Sequence, residues 1–278
     1  MTAAERPGRS DVERWRRFRA ARDAALAEPH GWLSLTSFQW LPPEPSRLEL
    51  VTGLWSAEGN AAAVTAAPDD GLTDLVTGSP VNGTLSAHLE DEESLLWVAH
   101  GGADGRRTVV ELARRAGRYA IRTRDAESPV LTGFTGVPVF DFAAEYVVRG
   151  RFEPYDAPRV DAIRTAHPEV DGEQVSAGDV VFPLPGDDRR HRLRAEQEEN
   201  GTLGITFHDT TNGLSTAGWR KVSAGRPGPD GSVVIDFNCS VNYPSAFTPF
   251  GTCPMPVEGN TIDHAVEAGE RAPASVRG

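Results

Sequence analysis

An aspartate that closes a β-strand can move protons or can cap the turn that follows it, and Asp209 and Asp236 both occupy such places. Asp209 follows the strand GITF and precedes Thr210-Thr211-Asn212-Gly213; Asp236 begins Asp236-Phe237-Asn238 ahead of a proline-rich stretch. His30, between Pro29 and Gly31, is a third acid–base candidate, and as a base it requires a carboxylate or carbonyl to orient its ring. Arg122, Arg149, Arg151 and Arg220 fall in strands or at strand ends, where an inward guanidinium can hold a carboxylate, enolate or phosphate through paired N–H groups. Each residue also has a plainer reading: turn caps for the aspartates and Asn242, a helix-end cap for His30, solvated side chains for most arginines.

The remaining chemistry narrows by elimination. No H-x-H, H-E-x-x-H or C-x-x-C is present, so no compact metal site is expected. There is no G-x-S-x-G elbow and no glycine-rich strand–loop–helix for a dinucleotide, so the expected enzyme is free of cofactors. Lys221 is the only lysine, and a Schiff base would have to form there. Cys239 and Cys253 are expected as reduced thiols, buried rather than nucleophilic.

Several elements must hold these groups. Residues 10–28 repeat Val12, Trp15, Phe18, Ala21, Ala25 and Leu26 at helical spacing after an N-capping Ser10. From about residue 47, short apolar runs alternate with Gly, Pro, Asn and Asp, the signature of antiparallel strands, and over Arg118–Arg124 the alternation sets Tyr119, Ile121 and Thr123 on one face and Arg122 and Arg124 on the other. The stretch 159–200 reads as polar and loop-rich with a short strand near Val180–Phe182, then from His191 as a strand, a turn at Asn200-Gly201 and a strand over 202–208, and 261–270 reads as a closing helix. The expected organisation is an N-terminal helix, 1–28, and a β-rich domain, 29–278, in one globular unit: an antiparallel barrel or twisted sandwich with a short helix at each end. A formal charge of −12 disfavours sequence-independent nucleic-acid binding, and no apolar run approaches a membrane span. The N-terminus has no apolar signal segment, so a cytoplasmic protein is expected, with a small-molecule substrate, no membrane partner and room for a homodimer.

The segment Asp236–Asn260, DFNCSVNYPSAFTPFGTCPMPVEGN, resembles the C-terminal signature of the bacterial family called domain of unknown function 1684. Other stretches fit the same family in order: W-R-x-x-R from Trp15, G-W-L-S-L from Gly31, R-F-x-P-Y from Arg151 to Tyr155, F-x-D-x-T-x-G from Phe207, and a closing A-G-E. The resemblance implies a β-rich fold without an agreed activity. It also places Asp209 and Asp236 at the ends of nearby strands, and makes Arg220 the leading arginine. The departures lie in the signature, where Cys239 stands for an arginine, Val241 for a tyrosine, Tyr243 for a proline and Ser245 for a cysteine, and in the segment resembling T-Y-x-x-G-R, where Ala217 stands for a tyrosine. A site hollowed in this way would admit a larger, more apolar ligand.

The resulting expectation is a cofactor-independent acid–base enzyme acting on a medium-sized organic molecule. Asp209, Asp236, His30 and Arg220 would be catalytic; Trp32, Asn238, Cys239, Val241, Asn242, Ala217, Arg151 and Tyr155 would hold the substrate. A cyclase or C–C-bond-forming step in bacterial natural-product biosynthesis is the leading assignment. A hydrolase and a non-catalytic small-ligand-binding β-protein are the alternatives.

Overall fold

Helix α1 (Arg9–Leu26) covers most of the expected 10–28, with Ser10 inside it rather than capping it; residues 1–8 of the expected N-terminal element lie outside the described residues. The structure, a computed structural model, describes residues 9–103 and 107–273. Its contacts divide the chain into two units, Ala25–Phe134 and a second formed by Met1–Ala24 with Thr135–Gly278.

In Ala25–Phe134, strands β1 (Leu35–Trp40), β2 (Leu54–Glu58), β3 (Ala61–Ala66), β4 (Thr73–Asp74), β5 (Gly83–Ala87), β6 (Ser94–His100), β7 (Thr108–Arg115) and β8 (Arg118–Asp125) make two sheets, ordered β1-β8-β7-β6-β4 and β2-β3-β5. Trp55, Val64, Trp97, Leu112 and Ile121 form their core, with Trp55 and Trp97 edge to face at 5.7 Å. In β8, Tyr119 and Ile121 point into this core as the alternation predicts, yet Arg122 and Arg124 on the other face are buried too. Glu111, opposite Arg122 on β7, makes that burial tolerable by pairing with Arg122 at 3.0 Å and Arg124 at 2.5 Å.

The second unit carries β9 (Val147–Arg164), β10 (Asp171–Leu184), β11 (Asp187–Gln197), β12 (Leu203–Asp209), β13 (Arg220–Ala224), β14 (Ser232–Asp236), β15 (Val241–Asn242) and β16 (Thr261–Ile262). Pairing runs β13-β14-β9-β10-β11-β12 and returns from β12 to β13, around a core that includes Phe182, Leu193, Ile205, Phe207, Val222, Ile235 and Phe237. The β13–β14 seam has the single register pair Ala224↔Ile235, and β11–β12 only Glu196↔Gly204 and Gln197↔Leu203. The sheet is therefore strongly twisted and sandwich-like, not a closed barrel. Where β11 and β12 part, the Asn260 side-chain amide takes the place of the ladder: it accepts from Arg194 N–H at 2.8 Å and donates to the carbonyls of Arg194 and Thr206 at 3.0 and 2.9 Å.

The chain is mostly β, as expected, with two local corrections. Residues 159–200 are chiefly the long strands β9–β11. Their polarity reflects cross-strand ion pairs, and Pro158 is tolerated because β14 accompanies β9 only at Val147–Arg151. The helix expected over 261–270, and with it the C-terminal helix of the fold, is absent. Beyond β16 the segment is extended, with Val266, Ala268 and Glu270 turned inward at alternate positions. Gly269 adopts φ +78°, and a Cβ there would sit 2.6 Å from the Ser240 carbonyl oxygen, so this position requires glycine.

Candidate functional site

Asp209 and Arg220 come together at the end of β12 and the start of β13, both side chains fully buried, with Nη2 of Arg220 2.7 Å from the carboxylate. The same nitrogen donates to the Val266 carbonyl at 2.9 Å, while Nη1 donates to those of Ala268 at 2.5 Å and Glu270 at 3.3 Å. These bonds give the carbonyls of the extended C-terminal segment the donors a helix would have supplied. The second Asp209 oxygen accepts from the backbone N–H and the hydroxyl of Thr211, at 2.8 and 2.5 Å. Burial lowers the Arg220 pKa, and the adjacent Asp209 charge opposes that shift.

A second buried carboxylate, Glu270, accepts from Arg19 at 2.6 Å and Arg22 at 3.2 Å, and from the Asn242 backbone N–H at 2.6 Å. The Trp15 indole donates to the Asn238 carbonyl at 3.1 Å, and the Asn238 amide brackets Ala143 with bonds to its N–H and its carbonyl. Asp236 caps the short turn Phe237–Cys239 by accepting from Asn238 N–H. The Cys239 thiol, 3.8 Å from the Asp236 carboxylate, is pushed up to about 12 by burial and by that negative charge, so it is no nucleophile at neutral pH. Asp209 and Asp236 thus each close their own turn. His30 lies in the other unit, its Nε2 3.3 Å from the Arg107 carbonyl. There Trp32 is half-exposed, with the Arg124 and Arg122 guanidiniums 5.0 and 5.8 Å from its ring centre.

The opposite face of the same strands carries a cluster that the sequence reading passed over. Antiparallel register sets Glu196 against Gly204, Gly204 against Ser223, Thr206 against Lys221, and Lys221 against Val241, so these side chains share one face. Lys221 Nζ pairs with Glu198 at 2.9 Å. A Cβ on Gly204 would meet Glu198 Oε1 and Lys221 Cε at 3.1 Å, so the glycine gives the pair its seat. The Tyr243 hydroxyl lies 2.6 Å from Thr206 Oγ1, and burial raises its pKa. The half-buried Glu196 carboxyl has no hydrogen-bond partner among the described residues. Burial raises its pKa, with Glu198 adding to the shift and Lys221 opposing it, whereas the Lys221 hydrogen bond holds Glu198 low. The signal was present in strand periodicity, which sets Glu196 two residues before Glu198 and gives Lys221 the face opposite to Arg220.

Recesses adjoin Ala217 and Tyr155, two of the residues expected to hold substrate. Ala217 lines one of about 280 Å³ with Gly213, Leu214, Thr216, Ala246 and Pro273, none of them titratable. Tyr155 lines another of about 230 Å³ with Arg159, Asp179, Arg192, Arg194 and Glu258. Arg151 is exposed on β9, and Val241 is half-buried opposite Lys221. No group of three or more His, Cys, Asp or Glu among the described residues is placed to hold a metal ion, and no described helix is long and apolar enough to cross a membrane.

A family model described as protein of unknown function (DUF1684) matches residues 132–271. The chain belongs to this family. No curated protein matches it. Among solved structures, the solution NMR structure of the uncharacterized protein from gene locus rrnAC0354 of Haloarcula marismortui is 26% identical, over 53% of this chain and 80% of that one, with a TM-score of 0.42. In this DUF1684 chain three of the motifs that carried the resemblance, the opening W-R-x-x-R, F-x-D-x-T-x-G and the closing A-G-E, contribute to the buried network. Trp15 and Arg19 of the opening motif reach Asn238 and Glu270, and Phe207–Gly213 supplies Asp209.

Proposed function

We propose that this protein is an acid–base enzyme acting on a small organic molecule at the outer face of β11–β13, with Glu196 as proton donor. The observation that carries this reading is the pair Glu196 and Glu198: one carboxyl half-buried and without a hydrogen-bond partner among the described residues, the other ionised against Lys221. Two neighbouring carboxyls whose environments move their pKa values in opposite directions are suited to acid and base roles. The Lys221 ammonium would stabilise negative charge developing on the substrate, and Val241 would leave room where the family pattern has a tyrosine. A C–C-bond-forming or cyclising step in natural-product biosynthesis, and a hydrolysis, both lie within this chemistry. In either, Glu196 rather than Asp209 would carry the proton, because Asp209 already accepts from Arg220 and Thr211.

Non-catalytic ligand binding is the second reading. It is favoured by the Ala217 recess, which has volume and no titratable wall. The two readings separate in a screen of small esters, lactones and activated carbonyl compounds, run with wild type and Glu196→Gln. An enzyme consumes a compound in a Glu196-dependent manner; a binding protein returns it unchanged. Val241→Tyr adds a further check. Because Val241 is half-buried at the sheet surface, the ring should be accepted with little loss of thermal stability while turnover falls at least tenfold. Full turnover in a stable Val241→Tyr protein would move the substrate away from this face.

A further inference from the structure

The recess beside Tyr155 has a charge pattern that selects a class of ligand. Arg192 is neutralised by Asp179 at 2.8 Å and Glu153 at 2.7 Å, and Arg194 by Asp161 at 2.8 Å. Asp179 also accepts the Tyr155 hydroxyl at 2.5 Å. Burial and that bond raise the phenol's pKa, so Tyr155 stays neutral and serves as a fixed wall. Two charged side chains of the lining remain without an ionic partner among the described residues, Arg159 and Glu258. The Arg159 guanidinium sits 3.9 Å from the centre of the Tyr155 ring, a cation–π seat that pre-orders it.

We infer that this recess binds a small amino acid as its zwitterion, with the carboxylate on Arg159 and the ammonium on Glu258. A simple anion would satisfy Arg159 and face the uncompensated field of Glu258; a simple cation would meet the reverse; one molecule bearing both charges satisfies both. The volume, about 230 Å³, gives room for a small molecule. Arg192, Arg194 and Glu196 follow one another at alternate positions of β11 and so share its outer face. Glu196 therefore stands about 7 Å along the strand from Arg194, at about 3.3 Å per residue. The recess is thus placed to anchor the amino-acid end of a substrate whose other end reaches Glu196. That last step rests on the acid–base reading above; the binding does not.

The test is an NMR titration of the full chain with L-alanine, N-acetyl-L-alanine and L-alaninamide, read at the backbone amide of Gly259 and repeated in Arg159→Gln and Glu258→Gln. Both changes are at exposed positions, so the fold is expected to persist, as a melting curve verifies. Alanine should shift Gly259 saturably. Removing either ligand charge, or either side-chain charge, should weaken binding about 2- to 5-fold, the range of exposed ion pairs. In Glu258→Gln, alanine and N-acetyl-alanine should bind alike. Equal binding of these two to wild type would overturn the zwitterion assignment, and so would the absence of any shift at Gly259. Loss of turnover in Glu196→Gln with alanine binding retained is expected. A Glu196→Gln protein with full turnover would sink the acid–base reading alone.

Discussion

Arg220→Met is expected to destabilise the protein by about 3–5 kcal/mol, the range for removing one partner of a buried ion pair. The guanidinium has no exposure, and its loss leaves Asp209 charged in the interior and deprives three carbonyls, those of Val266, Ala268 and Glu270, of their donor. At roughly 2–4 °C per kcal/mol for a protein of 150–250 residues, the melting temperature should fall on the order of 10 °C. Asp209→Asn tests the same clasp from the other side: it should destabilise too, and the double variant should be no worse than Arg220→Met alone, because the stranded charge is gone. Denaturant unfolding of the three variants measures these differences. An Asp209→Asn protein of wild-type stability that has lost turnover would instead make Asp209 catalytic. Arg220→Met within about 1 kcal/mol of wild type would remove the clasp altogether.

How much of this was legible in the sequence depends on the range over which each residue is satisfied. Helix α1 and the alternation of Tyr119 and Ile121 could be read because spacing along one element decides which side faces the core. Residues 261–270 could not, because the carbonyls of Val266, Ala268 and Glu270 bond to an arginine more than forty positions upstream, and no local rule anticipates such a donor. The turn between β9 and β10 and the strand ends beside it read as loop because polarity suggests solvation, whereas Arg192 and Arg194 pair with acids on β9 and β10. The candidate site shows the same division. Asp209 and Arg220 were identified and do meet, but Asp236, Asn238 and Cys239 form their own turn. Glu196 and Glu198 were passed over as the charged end of a strand; only the β12–β13 pairing brings Lys221 against them.

Glu196→Gln carries the largest expected effect on function. Losing a positioned general acid lowers turnover by about 10²–10⁴-fold, and because glutamine preserves shape and substrate contacts the loss should fall on kcat with little change in KM. The pH dependence identifies the proton. A general acid is active only below its own pKa, so wild-type kcat should decline as pH rises through the raised Glu196 value, above the usual carboxylate range, and the residual activity of the glutamine variant should lack that limb. Stability should show the opposite benefit. A carboxyl whose folded-state pKa is raised stabilises the fold fully only below its unfolded pKa of about 4.3, and that contribution is lost as pH rises through the folded value. Glu196→Gln, which never ionises, should therefore melt above wild type at neutral pH and lose its advantage near pH 4. Melting curves at the two pH values beside pH–rate profiles distinguish the outcomes. A variant that melts higher at neutral pH and keeps full turnover would show that Glu196 is a strained surface carboxyl and no acid in the reaction. One that loses turnover and melts lower at every pH would show that the carboxyl holds the β11–β13 face together. Loss of turnover with the stability gain, together with loss of the limb at rising pH, is the combination expected of a proton donor whose pKa is raised by burial.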